Sequence, residues 1–449
     1  MRVNWKSGGV GLFLGTWIVY SICPPFTSYD SYWTVPTALN ILAHGTTNVD
    51  QYQSGVPAVG RYGLECVPAS GRPMSDPGPG GCRNGHWYNW FPVAVSFFAL
   101  PLIALLKLLA AAVGPWVRHA GSVFSLPPVA AFFAGDFVEG HPLAELWCAS
   151  TFGAITVWLE YRIAKLFLPS RQAIWLALLF AFGTSEWSMA SRNLSQHGLS
   201  VMLLSAALYL VLLAREAPAR LPYAAIPLAL AFTVRPSNAV SAIVLTVYVA
   251  VHYRRYLLRF VLCAAPVAAV FFAYQVTVRH SFIPFYVTGL RPRYPEVLGI
   301  AMNLVSPNRG LLIFTPVFVV SIAGMVIAWR RRWCFPLVPY LVAILCLHAA
   351  VIASIWPGHC FGPRYYSDMG HLFLLFLIPA ILDWRKMRGP ARTAAACVFL
   401  ALAAFGVFVH SRGATSRAAN QWSVLPVNVD SDTSRVWDWR DPQFLRGFK

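Results

Sequence analysis

The chain has 449 residues, of which 57% are hydrophobic and only 12% charged. Soluble domains carry roughly 25% charged residues, so a water-soluble fold is excluded. A β-barrel is excluded too, because the apolar runs are continuous rather than alternating. The net charge of +18 does not point to nucleic acid. The basic residues stand mostly in short loops between apolar runs, where membrane orientation and anionic headgroups account for them. The composition predicts an all-α polytopic membrane protein.

The first apolar run, 8–24, is long enough to span a bilayer, and Pro24-Pro25 is a poor cleavage context, so it reads as an anchor rather than a removable signal. Just beyond it the chain reads Tyr29-Asp30-Ser31-Tyr32-Trp33. Asp30 at a membrane exit suits a general base, and it equally suits the N-cap of a following helix. That helix is expected from Trp33 to Ala43, where Val35, Ala38, Leu39 and Leu42 form an apolar stripe of helical period lying on the outer surface. Loop 25–90 then carries a second acid, Asp50, and an irregular Gly/Pro-rich stretch from Pro68 to Gly85. Two of the nine cysteines, Cys66 and Cys82, fall in this loop; an oxidising compartment would let them pair. No Cys or His spacing suggests zinc.

Further apolar runs fall near 91–113, 143–161, 173–189, 198–214, 222–251, 257–278, 310–329, 335–353, 365–384 and 393–410. Basic connections at Arg162–Arg171, Arg215–Arg220, Arg254–Arg259, Arg330–Arg332 and Arg385–Arg392 are assigned to the cytoplasm. Loops 25–90, 185–197, 279–309 and 354–364 and the tail from 411 then lie outside. This scheme requires 222–251 to be a hairpin broken at Arg235-Pro236. With Arg2 and Lys6 inside, it also prevents 91–113 from being a lone crossing: that run is re-entrant, or 122–135 crosses back. About eleven crossings result, with 1–410 as the transmembrane domain and 411–449 as an outer tail packed on the outer loops.

The outer segments hold the polar side chains. Arg235 interrupts an apolar run, a costly placement unless the charge is paired or solvated; a lipid phosphate or an acidic side chain would each meet that need. His197 opens the run after loop 185–197, where both His197 and Arg192 fit interfacial positions or substrate contact. Arg309-Gly310 precedes another run and offers a cation beside backbone N–H groups. Loop 354–364 brings His359 and Arg364; Arg364 and Asp368, four residues apart, would share a face of an α-helix and pair. Arg291 and Arg293 add charge to loop 279–309.

Together these strings resemble the GT-C superfamily of polytopic glycosyltransferases that use polyprenyl-phosphate-linked sugars. The resemblance rests on Asp30 with the helix from Trp33 to Gly45, on Arg235-Pro236-Ser237-Asn238, and on Ser306-Pro307-Asn308-Arg309-Gly310-Leu311-Leu312 with Pro316. Phe361-Gly362-Pro363-Arg364-Tyr365 and Trp437-Asp438-Trp439-Arg440-Asp441-Pro442-Gln443-Phe444-Leu445 complete it. It implies a GT-C-like bundle of about eleven transmembrane helices with amphipathic surface helices in the first outer loop. It also implies sugar transfer from a polyprenyl-phosphate donor to a lipid, glycan or protein acceptor, in the plasma (inner) membrane with the site on the extracytoplasmic face. Asp30 would be the base of an inverting displacement. Arg235, Arg309 and Arg364 would hold the phosphate, and His197, His359 and Asp50 would contact substrate. Some GT-C members bind a divalent metal through a second acid; the first loop has no Asp-x-Asp pair, so a metal stays open. A lipid-carrier flippase and a non-catalytic subunit of a cell-envelope assembly complex are the alternatives.

Overall fold

The computed structural model describes residues 9–52, 62–69, 73–74, 82, 84–119, 127–284, 287 and 294–448. Arg2, Lys6, Arg291, Arg293, most of the stretch after Pro68 and the start of 122–135 lie outside the described residues. The protein is 71% helical and 3% strand, an all-α polytopic membrane protein. By length and apolarity, five helices can cross a membrane: Ala94–Val117, Gln196–Leu213, Arg254–Arg279, Arg364–Trp384 and Pro390–Thr415. Shorter apolar helices fill out the bundle, among them Gly9–Ser21, Ser170–Gly183, Phe318–Arg330 and Leu337–Ile352.

Helix α1 (Gly9–Ser21) stops before Pro24-Pro25, where the chain loses its backbone donors. Helix α2 (Thr34–His44) follows and ends at Gly45, whose φ of 70° is open to glycine and strained for other residues. The surface placement expected for α2 is only partly met. Its first seven residues, Thr34 to Asn40, are buried, because Thr, Pro and Ala side chains are small enough to let it pack closely on α3 (Ala94–His119) and α5 (His141–Ala164). Helix α3 is continuous despite Pro101 and Pro115. No crossing follows within the described part of 122–135: α4 (Pro127–Ala134) has eight residues, about 12 Å of helix.

Helix α5 is the hub. It packs against α1, α6 (Ser170–Gly183) and α7 (Gln196–Leu213), and most of its residues are buried, Glu145 and Glu160 among them. Small residues permit this: a Cβ on Gly153 would stand 3.1 Å from both the Tyr20 ring and the Glu186 carboxylate. The run 222–251 breaks where the sequence predicts. Helix α8 (Ala225–Val234) ends at Arg235, in extended backbone at φ −149°, and α9 (Ala239–His252) begins four residues later. Asn238 braces the break, its Nδ2 donating to the Ala231 carbonyl at 2.9 Å and to Ser200 Oγ at 2.8 Å.

The first loop forms an antiparallel hairpin, β1 (Leu64–Pro68) on β2 (Gly85–Asn89), and Cys66 is disulfide-bonded to Cys82. The hairpin is fastened to α10 (Leu257–Arg279) by charge. Buried Glu65 pairs with buried Arg279, whose Nη2 donates to the Asn89 carbonyl at 2.7 Å and whose guanidinium lies 4.7 Å from the Tyr88 ring centroid. Removing one member of a buried pair strands the other charge, so Arg279→Ala is expected to cost about 3–5 kcal/mol. Glu65→Gln/Arg279→Met should recover most of that loss. Thermal melts of the purified protein in detergent measure both.

Candidate active site

The exits of α1, α6 and the loop before the Arg364 turn converge on a polar cleft of about 780 Å³. One wall is the segment Pro24–Tyr32, the opposite wall His359–Arg364, and the rest comes from the start of α5 at His141 and Pro142, from Ser188–His197 and from the tail around Thr415–Val424. Two of the walls, Pro24–Tyr32 and His359–Pro363, are interruptions of helix. Backbone that is not helical needs polar partners or water, which hydrocarbon cannot supply.

Asp30 is 7% exposed and faces this cleft. It does not cap α2: the N-cap position is Trp33, and the Asp30 carboxylate is ion-paired with Arg364 Nη2. The turn holding it is closed by Ser28 and Ser31, with Ser28 N donating to Ser31 Oγ at 3.1 Å and Ser31 N to the Ser28 carbonyl at 3.2 Å.

Arg364 does not pair with Asp368. Residues Arg364–Met369 form a 3₁₀-helix, and at about 3.0 residues per turn positions i and i+4 point about 120° apart. Arg364 turns to Asp30 instead, while its Nε meets His197 Nε2 at 3.3 Å. Asp368, fully buried, is ion-paired with Arg235, and its Oδ1 lies 3.1 Å from His197 Nδ1. Both ring nitrogens of His197 face a guanidinium: Arg364 Nε donates to Nε2, and Nδ1 lies 3.0 Å from Arg235 Nη1 as well as 3.1 Å from Asp368 Oδ1. A continuous polar chain thus runs from Asp30 through Arg364, His197 and Asp368 to Arg235. The Arg235 guanidinium also lies 5.3 Å from the Tyr365 ring centroid.

The other expected site residues are placed differently. His359 stands at the cleft mouth, its Nε2 2.8 Å from Asn428 Oδ1 and its ring 5.8 Å from that of Tyr29. Arg309 is fully buried behind the cleft wall; its Nη1 and Nη2 donate to the Asn308 and Gly358 carbonyls, Gln443 Oε1 and Ser423 Oγ at 2.7–3.1 Å, and its Nε is buried without a hydrogen-bond partner. Burial lowers its pKa, and none of the described carboxylates is within ion-pair distance. Its role is to anchor the tail: Gln443 also accepts from Gly362 N and donates to the Cys360 carbonyl. Asp50 lies outside the cleft lining and ties the first loop, accepting from Trp87 N at 2.7 Å beside His86 Nδ1 at 2.6 Å. The sequence left Arg235's partner unnamed and left Arg192 between an interfacial position and substrate contact; the structure pairs Arg235 with Asp368 and places Arg192 in the cleft lining. The excess of arginine over carboxylate in the outer loops was the available signal for both.

The cleft offers no divalent-cation seat among the described residues. Asp30 is the single carboxylate lining it, that carboxylate is engaged by Arg364, and no group of three potential ligands stands together. What the arrangement can do is hold an anion against guanidinium groups while a carboxylate accepts a proton.

Residues 126–278 match a family model described as dolichyl-phosphate-mannose-protein mannosyltransferase, a family within the GT-C superfamily. About a third of the chain is covered. The match takes in α5 to α10 with Arg192, His197 and Arg235, and leaves Asp30 and Arg364 outside. It supports a membrane glycosyltransferase of GT-C type. No curated protein and no solved structure matches the chain.

The buried Arg235–Asp368 pair supports the cleft wall from behind. Asp368→Asn is expected to lose about 3–5 kcal/mol by leaving Arg235 uncompensated. Asp368→Asn/Arg235→Gln should lose less than the two single variants combined, measured as a double-mutant cycle of melting free energies in detergent.

Proposed function

We propose that the protein transfers a sugar from a polyprenyl-phosphate donor to a hydroxyl acceptor at this cleft, with inversion at the anomeric carbon. The observation that carries the reading is the Asp30–Arg364 pair in a polar cleft at a membrane exit. It sets a proton acceptor beside a cation suited to phosphate, in a chain whose central third matches a family of lipid-phosphate-sugar transferases.

In the reaction, the acceptor oxygen attacks the anomeric carbon and its proton passes to the Asp30 carboxylate. The bond from that carbon to the phosphate oxygen breaks, and polyprenyl phosphate leaves with the electron pair. One base and one displacement need no covalent intermediate, hence inversion. Arg364 stabilises the negative charge that grows on the leaving phosphate. The acceptor and the phosphate both compete for this pair, so donor binding would draw Arg364 off Asp30 and free the base. Arg235 acts at one remove. It pairs with Asp368 and meets His197 Nδ1, and His197 in turn accepts from Arg364. Arg309 acts through the tail, and His359 borders the acceptor side of the mouth. No step is routed through a metal.

The cleft opens on the extracytoplasmic face of the plasma membrane in this reading, with 411–449 as the outer tail closing it. Two facts support the orientation. The first loop, which supplies one cleft wall, carries a disulfide suited to an oxidising compartment. The arginine-rich connections, such as Arg330–Arg332, lie at the other ends of the helices that lead into the cleft.

Asp30→Asn is expected to lower transfer about a hundred- to ten-thousand-fold while polyprenyl phosphate still binds. Radiolabelled sugar transfer in detergent, from synthetic polyprenyl-phosphate sugars to a hydroxyl acceptor panel, checks it. Detergent has no compartments, so a flippase would give no product at all, and full activity in the Asn variant would remove Asp30 as the base.

A further inference from the structure

Loop 185–197 contributes a cation that the sequence leaves between an interfacial position and substrate contact. Arg192 is 1% exposed and lines the cleft. Its Nη1 donates to the Tyr20 carbonyl at 2.9 Å, its Nη2 donates to the Pro24 carbonyl, and its Nε is buried with no hydrogen-bond partner. Among the described residues no carboxylate lies within ion-pair distance of it. Of the other site arginines, Arg364 is paired with Asp30 and Arg235 with Asp368, while Arg309, whose Nε is also buried without a partner, lies behind the cleft wall and outside its lining. A buried guanidinium held by two carbonyls and set 5.8 Å from the Phe26 ring centroid, with a donor left over, is a costly arrangement that an anion would relieve.

A second, independent feature faces the same cleft. Three residues after Arg192, Ser195 holds the N-cap position of α7, an 18-residue helix, and its hydroxyl makes no capping hydrogen bond. Ser195 and His197 both line the cleft. A helix start with an unused cap and its positive dipole end favours an anion with several acceptor oxygens. The charge of the lining agrees, with Arg192, Arg364 and Arg417 set against the single carboxylate of Asp30.

We infer that Arg192 and the Ser195 start of α7 form the phosphate seat of the cleft, taking the phosphoryl group of a lipid-linked donor. The inference rests on the proposed function and assigns its phosphate to residues distinct from the Asp30–Arg364 pair. In this geometry Arg364 meets the bridging oxygen as it leaves, whereas Arg192 and the α7 N–H groups hold the non-bridging oxygens before and after the bond breaks. The same Arg192 guanidinium holds the Tyr20 and Pro24 carbonyls, so the seat is built into the exit of α1 that carries Asp30.

Binding to the full-length protein in detergent tests this, with bare polyprenyl phosphate, inorganic phosphate and uncharged polyprenol as probes, for wild type, Arg192→Gln and Ser195→Asp. Polyprenyl phosphate should bind wild type, polyprenol should bind at least about tenfold more weakly, and both variants should lose at least about tenfold in polyprenyl phosphate affinity. Ser195→Asp supplies the missing cap while placing a negative charge where the phosphate would sit, so its melting temperature without ligand should match or exceed wild type. It therefore keeps the test decisive even where Arg192→Gln fails to fold. Measurable binding of inorganic phosphate would show that the anion alone is read, and its absence beside tight polyprenyl phosphate would show that the tail adds the affinity; both outcomes support the seat. Polyprenyl phosphate affinity unchanged in Ser195→Asp, or equal affinity for polyprenol, overturns it. Transfer activity with normal phosphate binding in both variants would sink this inference and spare the proposed reaction. Arg192-dependent phosphate binding with no transfer would do the reverse.

Discussion

Charge inside a bilayer must be compensated within the protein, and that constraint organises this molecule. Three buried ion pairs, Asp30–Arg364, Arg235–Asp368 and Glu65–Arg279, each join segments that are distant in sequence. Apolar contacts between helices discriminate little among registers, since lipid tails are as apolar as leucine. A buried pair does discriminate: a shift of one helical turn, about 5.4 Å, would strand both charges. The pairs therefore serve less as net stabilisation than as locks on which segments meet and at what depth. The cleft inherits its shape from them.

The polar side chains gather where helices are interrupted, for a related reason. Pro24-Pro25 ends α1, Arg235-Pro236 separates α8 from α9, and the turn Glu186–Ala190 is a single π-helical turn. Gly362, at a φ of 64° and with no room for a Cβ beside the Phe314 ring, turns the chain into the Arg364 segment. Each interruption frees backbone groups that the helix would have used, and such groups are tolerated only around a polar cavity. Around the cleft, breaks and polar side chains therefore coincide. By contrast α10 is unbroken and exposed along most of its apolar length.

Much of this was legible in the sequence, and the illegible part has a common cause. Apolar runs marked the helices, and Arg235-Pro236 marked a break, because hydropathy and proline act locally. The partner of a charge is a long-range property. Arg309 and Arg235 look alike in sequence, each an arginine beside a helix end, yet one holds the tail through Gln443 while the other meets Asp368. The spacing of Arg364 and Asp368 invited an α-helical pairing rule that fails because the turn there is 3₁₀. Asp50 reads in sequence as a second site acid; in the fold it lies outside the cleft lining and accepts from Trp87 N of the hairpin. Arg192 stood in an outer loop rich in arginine and poor in carboxylate, but the absence of a counter-charge beside it is a property of the folded neighbourhood.

The cleft is walled by two segments from opposite ends of the chain order, Pro24–Tyr32 and the tail around Asn420–Val424. Helices enter the membrane in the order they are translated, so Asp30 is in place while the bundle that will enclose it is still being made. For that whole interval the carboxylate lacks both Arg364 and the tail residues that Arg309 and Gln443 hold down. The cleft is then an assembly product rather than an early feature of the fold, complete only once the second half of the chain has docked on the first.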